Sequence, residues 1–347
     1  MFQPSENTDK NKDANIQGMS VKARFLTELA PVASELAALP MALKELLPYR
    51  TKAAENISDH IFSAGGKRVR PALFLLCSRL TGYTGDHLIP VAVVSEYVHT
   101  ASLLHDDVVD ESNLRRGTPT ANAIWGNQAS VLVGDLVYAT ACELMAMTGK
   151  VELVRVFAEA IRKMSDGELL QMENAFKYET TVESYLEVLE GKTGVLIGAS
   201  CAASGILSNL PEEKIKALYD FGNKLGIAFQ LIDDALDYSV TDETFGKPTV
   251  SDILEGKLTY PVLKLKVLAS SDELSKLEEI IKSKIILDEN RHWIASLVSK
   301  YGTTEHTMLK AKQYTNEALN QLLNNFDPSE ERDRIERVAR LLLDRKS

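Results

Sequence analysis

The chain has 347 residues, of which 45% are hydrophobic and 25% are charged, and its formal net charge is −10. This composition is typical of a globular protein with a large core, and the negative charge argues against general nucleic-acid binding, which needs a basic face. No apolar run approaches the roughly 18 residues of a membrane span. Because Cys77, Cys142 and Cys201 lack CxxC spacing, we expect reduced thiols and a cytoplasmic protein.

The first 19 residues differ from the remainder of the chain. Residues 1–19 are polar and lack hydrophobic periodicity, which predicts a disordered tail or the remnant of an expression tag. From residue 20 onward the pattern is helical almost everywhere, and no run of alternating β-branched residues is long enough to anchor a sheet. We expect one all-α domain over residues 20–347, a bundle of ten or more helices around a deep central cavity.

Proline, glycine and the apolar period set the expected helix boundaries. Pro31, Pro40 and Pro48 should punctuate a short N-terminal pair of helices. The segment from Asp86 to Asp110 is apolar on most faces, so we expect it at the centre of the bundle. The other predicted helices are Thr51–Ser63, Ala72–Leu80, Ala129–Met147, Val151–Glu173, Val182–Ser204 and a long helix from Pro211, followed by a loop over 246–261 and further helices to Arg345.

Two aspartate clusters are near copies of each other, Asp106-Asp107-Val108-Val109-Asp110 and Asp233-Asp234-Ala235-Leu236-Asp237. Because positions i and i+4 share a helix face, the first aspartate of each cluster should lie over the last. Mg²⁺ prefers carboxylate oxygens and keeps water or substrate phosphate in its remaining positions. If the two helices face each other, they form a mouth for several Mg²⁺ ions and a phosphorylated ligand.

A single cluster of this kind is more often a solvated helix face than a metal site. Two copies are different when each is embedded in apolar sequence. Like charges within one turn of an apolar helix cost free energy unless a cation lies among them. The pair of clusters therefore favours a metal site.

Three short basic sites lie at helix ends of this acidic chain. They are Gly65-Gly66-Lys67-Arg68-Val69-Arg70-Pro71, Arg115-Arg116, and the pair Lys247 and Lys257. Arginine offers phosphate a planar fork, lysine offers a mobile charge, and glycine turns before helices add backbone donors. A basic turn can also be an ordinary helix cap. Beside two carboxylate clusters, however, these sites predict two phosphorylated substrates, one held through Mg²⁺ and one held directly.

The combination resembles the trans-prenyl diphosphate synthase family, and within it the long-chain, octaprenyl-like enzymes. The resemblance rests on the basic turn at 65–71, on both aspartate clusters with their flanks, and on shorter motifs over about 65–261. The shorter motifs are Arg115-Arg116-Gly117, residues 127–135, Gly167-Glu168 with Gln171, Lys192-Thr193-Gly194, Gly246-Lys247-Pro248 and Glu255-Gly256-Lys257. Leu254 and Leu258 depart from the pattern, since relatives often have a basic residue and a proline there.

The resemblance implies an isoprenoid synthase-like fold and a homodimer. It implies an enzyme that elongates an allylic diphosphate primer with isopentenyl diphosphate to a long all-trans polyprenyl diphosphate. Mg²⁺ and cations would stabilise the leaving diphosphate, so no protein nucleophile is required. We expect the enzyme in the cytoplasm, with transient membrane association for product release.

The implied site residues fall into three groups. Asp106, Asp107, Asp110 and Asp233 would ligate Mg²⁺, and Asp234 and Asp237 would support the metals directly or through water. The allylic diphosphate would contact Arg115, Lys192, Thr193, Gln230, Lys247 and Lys257. Isopentenyl diphosphate would contact Lys67, Arg70, His99 and Arg116. Two of these residues have simpler alternatives, because an interior histidine such as His99 is more often satisfied within the core and Gln230 could be a buried, internally bonded amide.

Residues just before the first cluster bear on product length. Ser102 lies one helical turn before Asp106 on the same face, and Ala101 is beside it. The resemblance implies that short-chain members carry bulky aromatic side chains at this level. Because both residues are small here, we expect a long product, with Phe157 as a candidate for the residue that stops the chain. Small residues also allow close helix packing, which is the alternative explanation.

Three other functions fit part of the pattern. A class I terpene cyclase is also all-α and Mg²⁺-dependent, but it uses one diphosphate substrate and leaves the basic turn at 65–71 without a purpose. A non-catalytic subunit of a heteromeric synthase typically loses aspartates or basic ligands that this chain retains. An all-α metal-binding protein would explain the carboxylates but not the cations.

Overall fold

The structure, a computed structural model, describes residues 20–63, 65–66, 68–115, 117–238 and 250–344. Its regular structure is almost wholly α-helical, with more than ten helices. The predicted all-α bundle around a cavity is confirmed. The predicted tail over 1–19 and the first part of the predicted loop, 246–249, lie outside the described residues. The prediction of a single domain over 20–347 stays a prediction.

The N-terminal region forms four helices: α1 (Val21–Glu28), α2 (Ala33–Glu45), α3 (Lys52–Ser63) and α4 (Val69–Leu80), with a 3₁₀ turn over Ala30–Val32. The prediction that Pro40 would separate two helices is wrong, because it lies inside α2. An internal proline removes one backbone donor from a helix. The adjacent burial of Leu39 and of Leu43 in the core offsets that loss and keeps α2 continuous.

Helix α5 (Leu88–Val109) lies at the centre of the first half of the bundle, as its apolar sequence predicts. It packs along α7 (Asn127–Met147). Between the two helices, the Ser130 hydroxyl donates to the Leu104 carbonyl at 2.9 Å. This packing fixes the C-terminal end of α5, which carries the first aspartate cluster.

A short β-hairpin follows α5, and the sequence did not reveal it. Strands β1 (Leu114–Arg115) and β2 (Thr118–Pro119) pair antiparallel, and the short helix α6 (Ala121–Trp125) comes next. The Asn122 amide donates to the carbonyls of Asp107 and Ser112 at 3.1 Å each. Two-residue strands leave no alternating pattern, so tertiary contacts alone define this hairpin.

Helices α8 (Val151–Asn174), α9 (Val182–Leu189), α10 (Val195–Leu207) and α11 (Glu212–Asp237) complete the cavity wall. The helix predicted over 182–204 is interrupted by a π-helical turn at Glu190–Gly194, between α9 and α10. Gly191 in this turn lies against α8, where a Cβ would be 2.8 Å from the Lys163 carbonyl oxygen and 3.0 Å from the Gly167 Cα. Glycine permits that approach because it has no Cβ.

The C-terminal region contains α12 (Ser251–Leu254), α13 (Tyr260–Leu268), α14 (Ser271–Ser283), α15 (Asp288–Lys300), α16 (Thr303–Asn325) and α17 (Glu330–Leu343). Helix α16 packs along α11. The buried hydrophobic residues form two clusters, one centred on α5, α7, α8 and α10, the other on the end of α11 and on α13 to α16. Each of these two hydrophobic clusters packs against one of the helix ends that carry the aspartates.

By length and composition, α7 is the one helix of the described residues that could cross a membrane on its own. The bent pair formed by α1 and Ala30–Glu45 passes the same test only when taken together. Val133, Val137 and Ala141 of α7 belong to the hydrophobic core. Packing in the bundle therefore accounts for one face of α7, while Leu132 and Met147 on this helix are exposed.

Candidate active site

One large cavity, of about 780 Å³, lies between α5, α8, α10 and α11. Its wall includes Asp106, Asp107 and Asp110 from the end of α5 and Asp233 from α11. A smaller pocket beside it is lined by Asp234, and the side chains of Lys192 and Gln230 border both spaces. The structure thus brings the first cluster and Asp233 of the second to the same cavity, and it places Asp234 in the adjoining pocket.

In the first cluster, the three aspartates have different surroundings. Asp106 is partly buried, and its pKa is raised to about 6 by burial and by the Glu168 carboxylate, against the opposing effect of Lys192. Asp107 is buried, and Arg115 donates to its Oδ1 from Nε at 2.9 Å and from Nη2 at 2.8 Å. Asp110 lies at the helix end and is exposed.

The second cluster has a similar division. Burial and the neighbouring Asp234 charge raise the pKa of Asp233 to about 7. Asp234 is buried and accepts hydrogen bonds from the Tyr185 hydroxyl at 2.5 Å and from Gln230 Nε2 at 2.9 Å. Burial raises the pKa of Asp234 to about 6, and these two hydrogen bonds oppose the rise. Asp237 accepts from the Ser251 hydroxyl at 2.9 Å.

The carboxylates do not form a closed metal cage. Among the described residues, no group of three or more His, Cys, Asp or Glu side chains is arranged to hold an ion. Mg²⁺ sites commonly use one or two carboxylates together with substrate phosphate oxygens and water. Burial raises the pKa values of Asp106 and Asp233, and both side chains line the cavity. They are therefore suited to bind metal ions that a phosphorylated ligand also coordinates.

Lys192 lies between the first cluster and α8. Its ammonium contacts Glu168 Oε1 at 2.7 Å, and Gln171 donates to the other Glu168 oxygen at 3.0 Å. The close approach of Gly191 to α8 allows this pair, because Lys192 is the next residue. Glu168 therefore orients the ammonium at the cavity wall.

Lys257 lies between the two clusters. Burial lowers the pKa of Lys257, but Glu255, Asp252 and Asp110 together raise it above its ordinary value. In turn, the Lys257 charge lowers the pKa of Asp234. Because Asp110 ends α5 and Asp234 lies on α11, this ammonium compensates negative charge from both helices.

Thr193 and Gln230 border the same cavity. The Thr193 hydroxyl donates to Gln230 Oε1 at 3.3 Å, while the Gln230 amide nitrogen donates to Asp234. These contacts agree with the alternative that Gln230 is an internally bonded amide. Gln230 also lines the cavity, and its contact with a substrate stays a prediction.

The basic end of the cavity contains Arg70 and His99. The Arg70 Nε is buried and has no hydrogen-bond partner, and burial lowers the pKa of Arg70 against the opposing charge of Glu96. Arg68, the neighbouring cation, is instead paired with Glu96. A buried guanidinium nitrogen without a partner is costly, so this end is suited to an anionic ligand.

Three predicted ligands, Lys67, Arg116 and Lys247, lie outside the described residues. Of the three residues predicted to control product length, Ser102 lines the cavity. Ala101 and Phe157 are fully buried in the core and do not line it. The roles of all three in product length stay predictions.

Sequence reasoning assigned no role to Glu168, Tyr185 or Ser251, each of which holds a site residue in place. Glu168 belongs to the Gly167-Glu168 motif, so its place in that motif could have indicated a role at the site. Tyr185 and Ser251 gave none, because a single tyrosine or serine becomes a partner of an aspartate only through the fold.

The family model described as "Polyprenyl synthetase" matches residues 51–297. The chain belongs to this polyprenyl synthetase family. It is 38% identical over 290 residues to the octaprenyl diphosphate synthase of Escherichia coli (strain K12), covering 83% of this chain and 88% of that protein. This polyprenyl synthetase family member is therefore a prenyltransferase.

Solved structures of the family share the fold. A crystal structure of a decaprenyl diphosphate synthase from Rhodobacter capsulatus matches with a TM-score of 0.86 at 37% identity, covering 92% of this chain and 98% of that one. A polyprenyl synthase from Caulobacter crescentus CB15, complexed with calcium and isoprenyl diphosphate, matches with a TM-score of 0.86 at 33% identity, covering 94% and 98%.

The raised pKa of Asp233 predicts that this carboxylate destabilises the metal-free protein. Its pKa is about 7 in the folded state and 3.8 ordinarily, so the folded protein holds the proton more tightly than the unfolded chain. The free energy of unfolding should therefore fall as pH rises from about 4 to about 7. Asp233→Asn should remove this loss and stabilise the metal-free protein at pH 8 by up to about 4 kcal/mol.

Chemical unfolding in chelator at pH 5 and pH 8 measures the effect, which should be larger at pH 8. Asp86→Asn, at an exposed position before α5, is the control and should change little at either pH. Equal stability of Asp233→Asn and wild type at pH 8 would contradict the prediction.

Proposed function

We propose that the chain elongates an allylic diphosphate with isopentenyl diphosphate, by sequential 1′-4 condensation that depends on Mg²⁺ and releases diphosphate. The product is a long all-trans polyprenyl diphosphate. One observation carries the proposal: aspartates of both clusters and Lys192 line one cavity, which also contains a buried guanidinium nitrogen without a partner. The two kinds of site fit two diphosphates.

Mg²⁺ would be held by Asp106, Asp110 and Asp233, whose side chains border the cavity. Asp107, Asp234 and Asp237 are engaged by protein donors, so they support the ions directly or through water. When bound, Mg²⁺ supplies Lewis-acid stabilisation of the charge that develops on the leaving diphosphate. The carboxylates must be ionised for this, and the metal makes ionisation favourable.

The allylic diphosphate would also contact Lys192, Lys257, Thr193 and Gln230, together with Arg115 and Lys247. Lys192 and Lys257 are charged donors at the border between the two clusters. Charge-assisted donors that are already oriented stabilise the leaving group without reorganisation at the moment of reaction. The released diphosphate is the proposed base for the final proton.

Isopentenyl diphosphate would bind at the basic end, through Arg70 and His99 with Lys67 and Arg116. The unpartnered Arg70 Nε is the described group that supports this assignment. Glu96, which lies near Arg70, is ten residues before Asp106, about 15 Å along the helix axis. That separation keeps the two diphosphates apart. A terpene cyclase with one diphosphate would have no use for this second site.

The cavity wall around Ser102 supports a long product. Ser102 lies four residues before Asp106 and lines the same cavity as the apolar residues Leu103 and Met164. No aromatic side chain occupies position 101 or 102. The growing chain would pass this level as it moves away from the aspartates. We propose that the path ends near Phe157, which is buried in the core and belongs to α8, the helix that also carries the cavity-lining Met164.

We also propose a homodimer. Helix α7 presents an exposed apolar face that includes Val131 and Leu132, the latter 67% exposed. A second copy of the chain would cover this face and remove apolar surface from water. The proposed location is the cytoplasm, with transient membrane association when the long product leaves.

The first prediction of this function concerns metal. Asp106→Asn or Asp233→Asn should lower turnover by about 100-fold or more, because each removes a ligand charge where diphosphate must be neutralised. Circular dichroism should show an unchanged helical fold. Asp220→Asn, on the same helix as Asp233 and outside the cavity, is the control and should retain activity. Full activity of the wild type in excess chelator would refute the metal proposal.

The second prediction separates the two diphosphate sites. Arg70→Gln should raise KM for isopentenyl diphosphate by about 10- to 150-fold, the effect of one lost charge-assisted contact. Lys192→Gln should raise KM for the allylic primer by a similar factor. Lys224→Gln, a paired lysine of α11 outside the cavity, should change neither. Steady-state kinetics with each substrate varied in turn measures the two KM values. Equal increases in both KM values in both variants would refute the assignment.

The third prediction concerns product length. Ser102→Phe should shift the products to a C15 or C20 diphosphate, because the ring would narrow the path one turn from Asp106. Ser102→Ala is the control and should leave the product lengths unchanged. Ala101→Phe should chiefly destabilise the protein, since it inserts a ring into a filled core. Chromatography of labelled products gives the lengths, and an unchanged ladder in active Ser102→Phe would remove Ser102 as the gate.

A further inference from the structure

The loop between α8 and α9 contacts the turn that carries Lys257. The backbone N–H of Phe176, in this loop, donates to the Gly256 carbonyl at 2.9 Å. The Phe176 ring lies directly on Gly256, so that a Cβ at Gly256 would overlap the ring. Lys257 is the next residue. Phe176 therefore holds the backbone immediately beside the ammonium that lies between the two aspartate clusters.

Both partners in this contact have left-handed backbones. Gly256 has φ +76° and Phe176 has φ +56°. Glycine adopts this region freely, but a phenylalanine there is uncommon and is kept only where its surroundings enforce it. The hydrogen bond to Gly256 and the ring contact are two such constraints. They indicate that the backbone conformations of Phe176 and of the Gly256 turn depend on each other.

The loop is anchored on both sides of Phe176. Before it, the Asn174 amide donates to the Ser184 hydroxyl of α9 at 2.8 Å. After it, the Lys266 ammonium of α13 donates to the carbonyls of Tyr178 and of Thr180, the latter at 2.8 Å. These hydrogen bonds fix the loop on both sides of Phe176 and so hold Phe176 against the Gly256 turn.

The opposite side of the turn is tied to the second aspartate cluster. The Lys257 backbone N–H donates to the Asp252 carbonyl at 3.0 Å. The Asp252 backbone N–H in turn donates to Asp237 Oδ2 at 3.2 Å. The backbone at Lys257 is therefore held between the loop on one side and Asp237 on the other.

We propose that Phe176 is a positioning residue for Lys257, which fixes the Gly256 turn so that the ammonium meets the diphosphate of the allylic substrate. The inference rests on the diphosphate contact proposed above for Lys257. The Lys257 ammonium pairs with Glu255 on the same turn. Because the backbone is fixed, the ammonium can leave Glu255 and reach the diphosphate by rotation of the lysine side chain alone.

Phe176→Ala removes the ring and frees the turn. It should raise KM for farnesyl diphosphate, used as the allylic primer, by about tenfold and also lower kcat, because the proposed Lys257 contact stabilises the leaving diphosphate. KM for isopentenyl diphosphate should change less than twofold. Phe176→Tyr keeps the ring and should restore KM. Tyr178→Ala is the matched control, because Tyr178 belongs to the same loop and stacks on Lys266 rather than on Gly256. If Phe176→Ala does not fold, Phe176→Leu replaces it with a smaller loss of packing.

A double-mutant cycle with Lys257→Ala tests whether Phe176 acts through Lys257. The double variant should be no worse for farnesyl diphosphate than Lys257→Ala alone. If the two effects multiply, or if Lys257→Ala raises KM and Phe176→Ala does not, the positioning inference is overturned by itself. If Lys257→Ala leaves KM unchanged, the proposed diphosphate contact of Lys257 is wrong, and the positioning inference is overturned with it.

Discussion

Negative charge that is partly removed from water, on two helix ends facing one cavity, is the constraint on which this site depends. Burial raises the pKa of Asp106 to about 6 and that of Asp233 to about 7, so neither carboxylate is fully compensated by the protein. Lys192 and Lys257 lie among the clusters and offset part of the charge. A diphosphate adds further negative charge, so it requires additional cations. This imbalance is the physical reason for the metal ions proposed at this site.

The two clusters repeat a division of roles as well as a sequence. The second aspartate of each, Asp107 or Asp234, is buried, 5% and 4% exposed, and held by side-chain donors. The first aspartate, Asp106 or Asp233, borders the cavity and is only partly buried, and its pKa is raised, as that of Asp234 also is. Arg115 supplies the donor in one cluster, and Tyr185 with Gln230 in the other. Equivalent positions on two helices thus reach the same arrangement through different partners.

Close backbone contacts bring the compensating lysines to these positions. Gly191 touches α8 and places Lys192 beside Glu168. Gly256 accepts the Phe176 ring and precedes Lys257. In both cases a glycine stands immediately before the lysine, and the neighbouring element occupies the space that a side chain would need. Backbone packing therefore sets where each lysine side chain begins, and a carboxylate contact orients its ammonium.

The all-α class, most helix positions and the two aspartate clusters can be predicted from the amino-acid sequence, because the apolar period and the i, i+4 spacing are local properties. The sequence did not reveal that Pro40 lies inside a helix, that a π-helical turn precedes α10, or that Tyr185 holds Asp234. Each of these depends on contacts between segments far apart in the chain: the core around Leu39 and Leu43, the approach of Gly191 to α8, and the meeting of α9 with α11. Such contacts leave no local pattern in the sequence. Which aspartates border the cavity, and which are held by protein donors, therefore depends on how the helices pack.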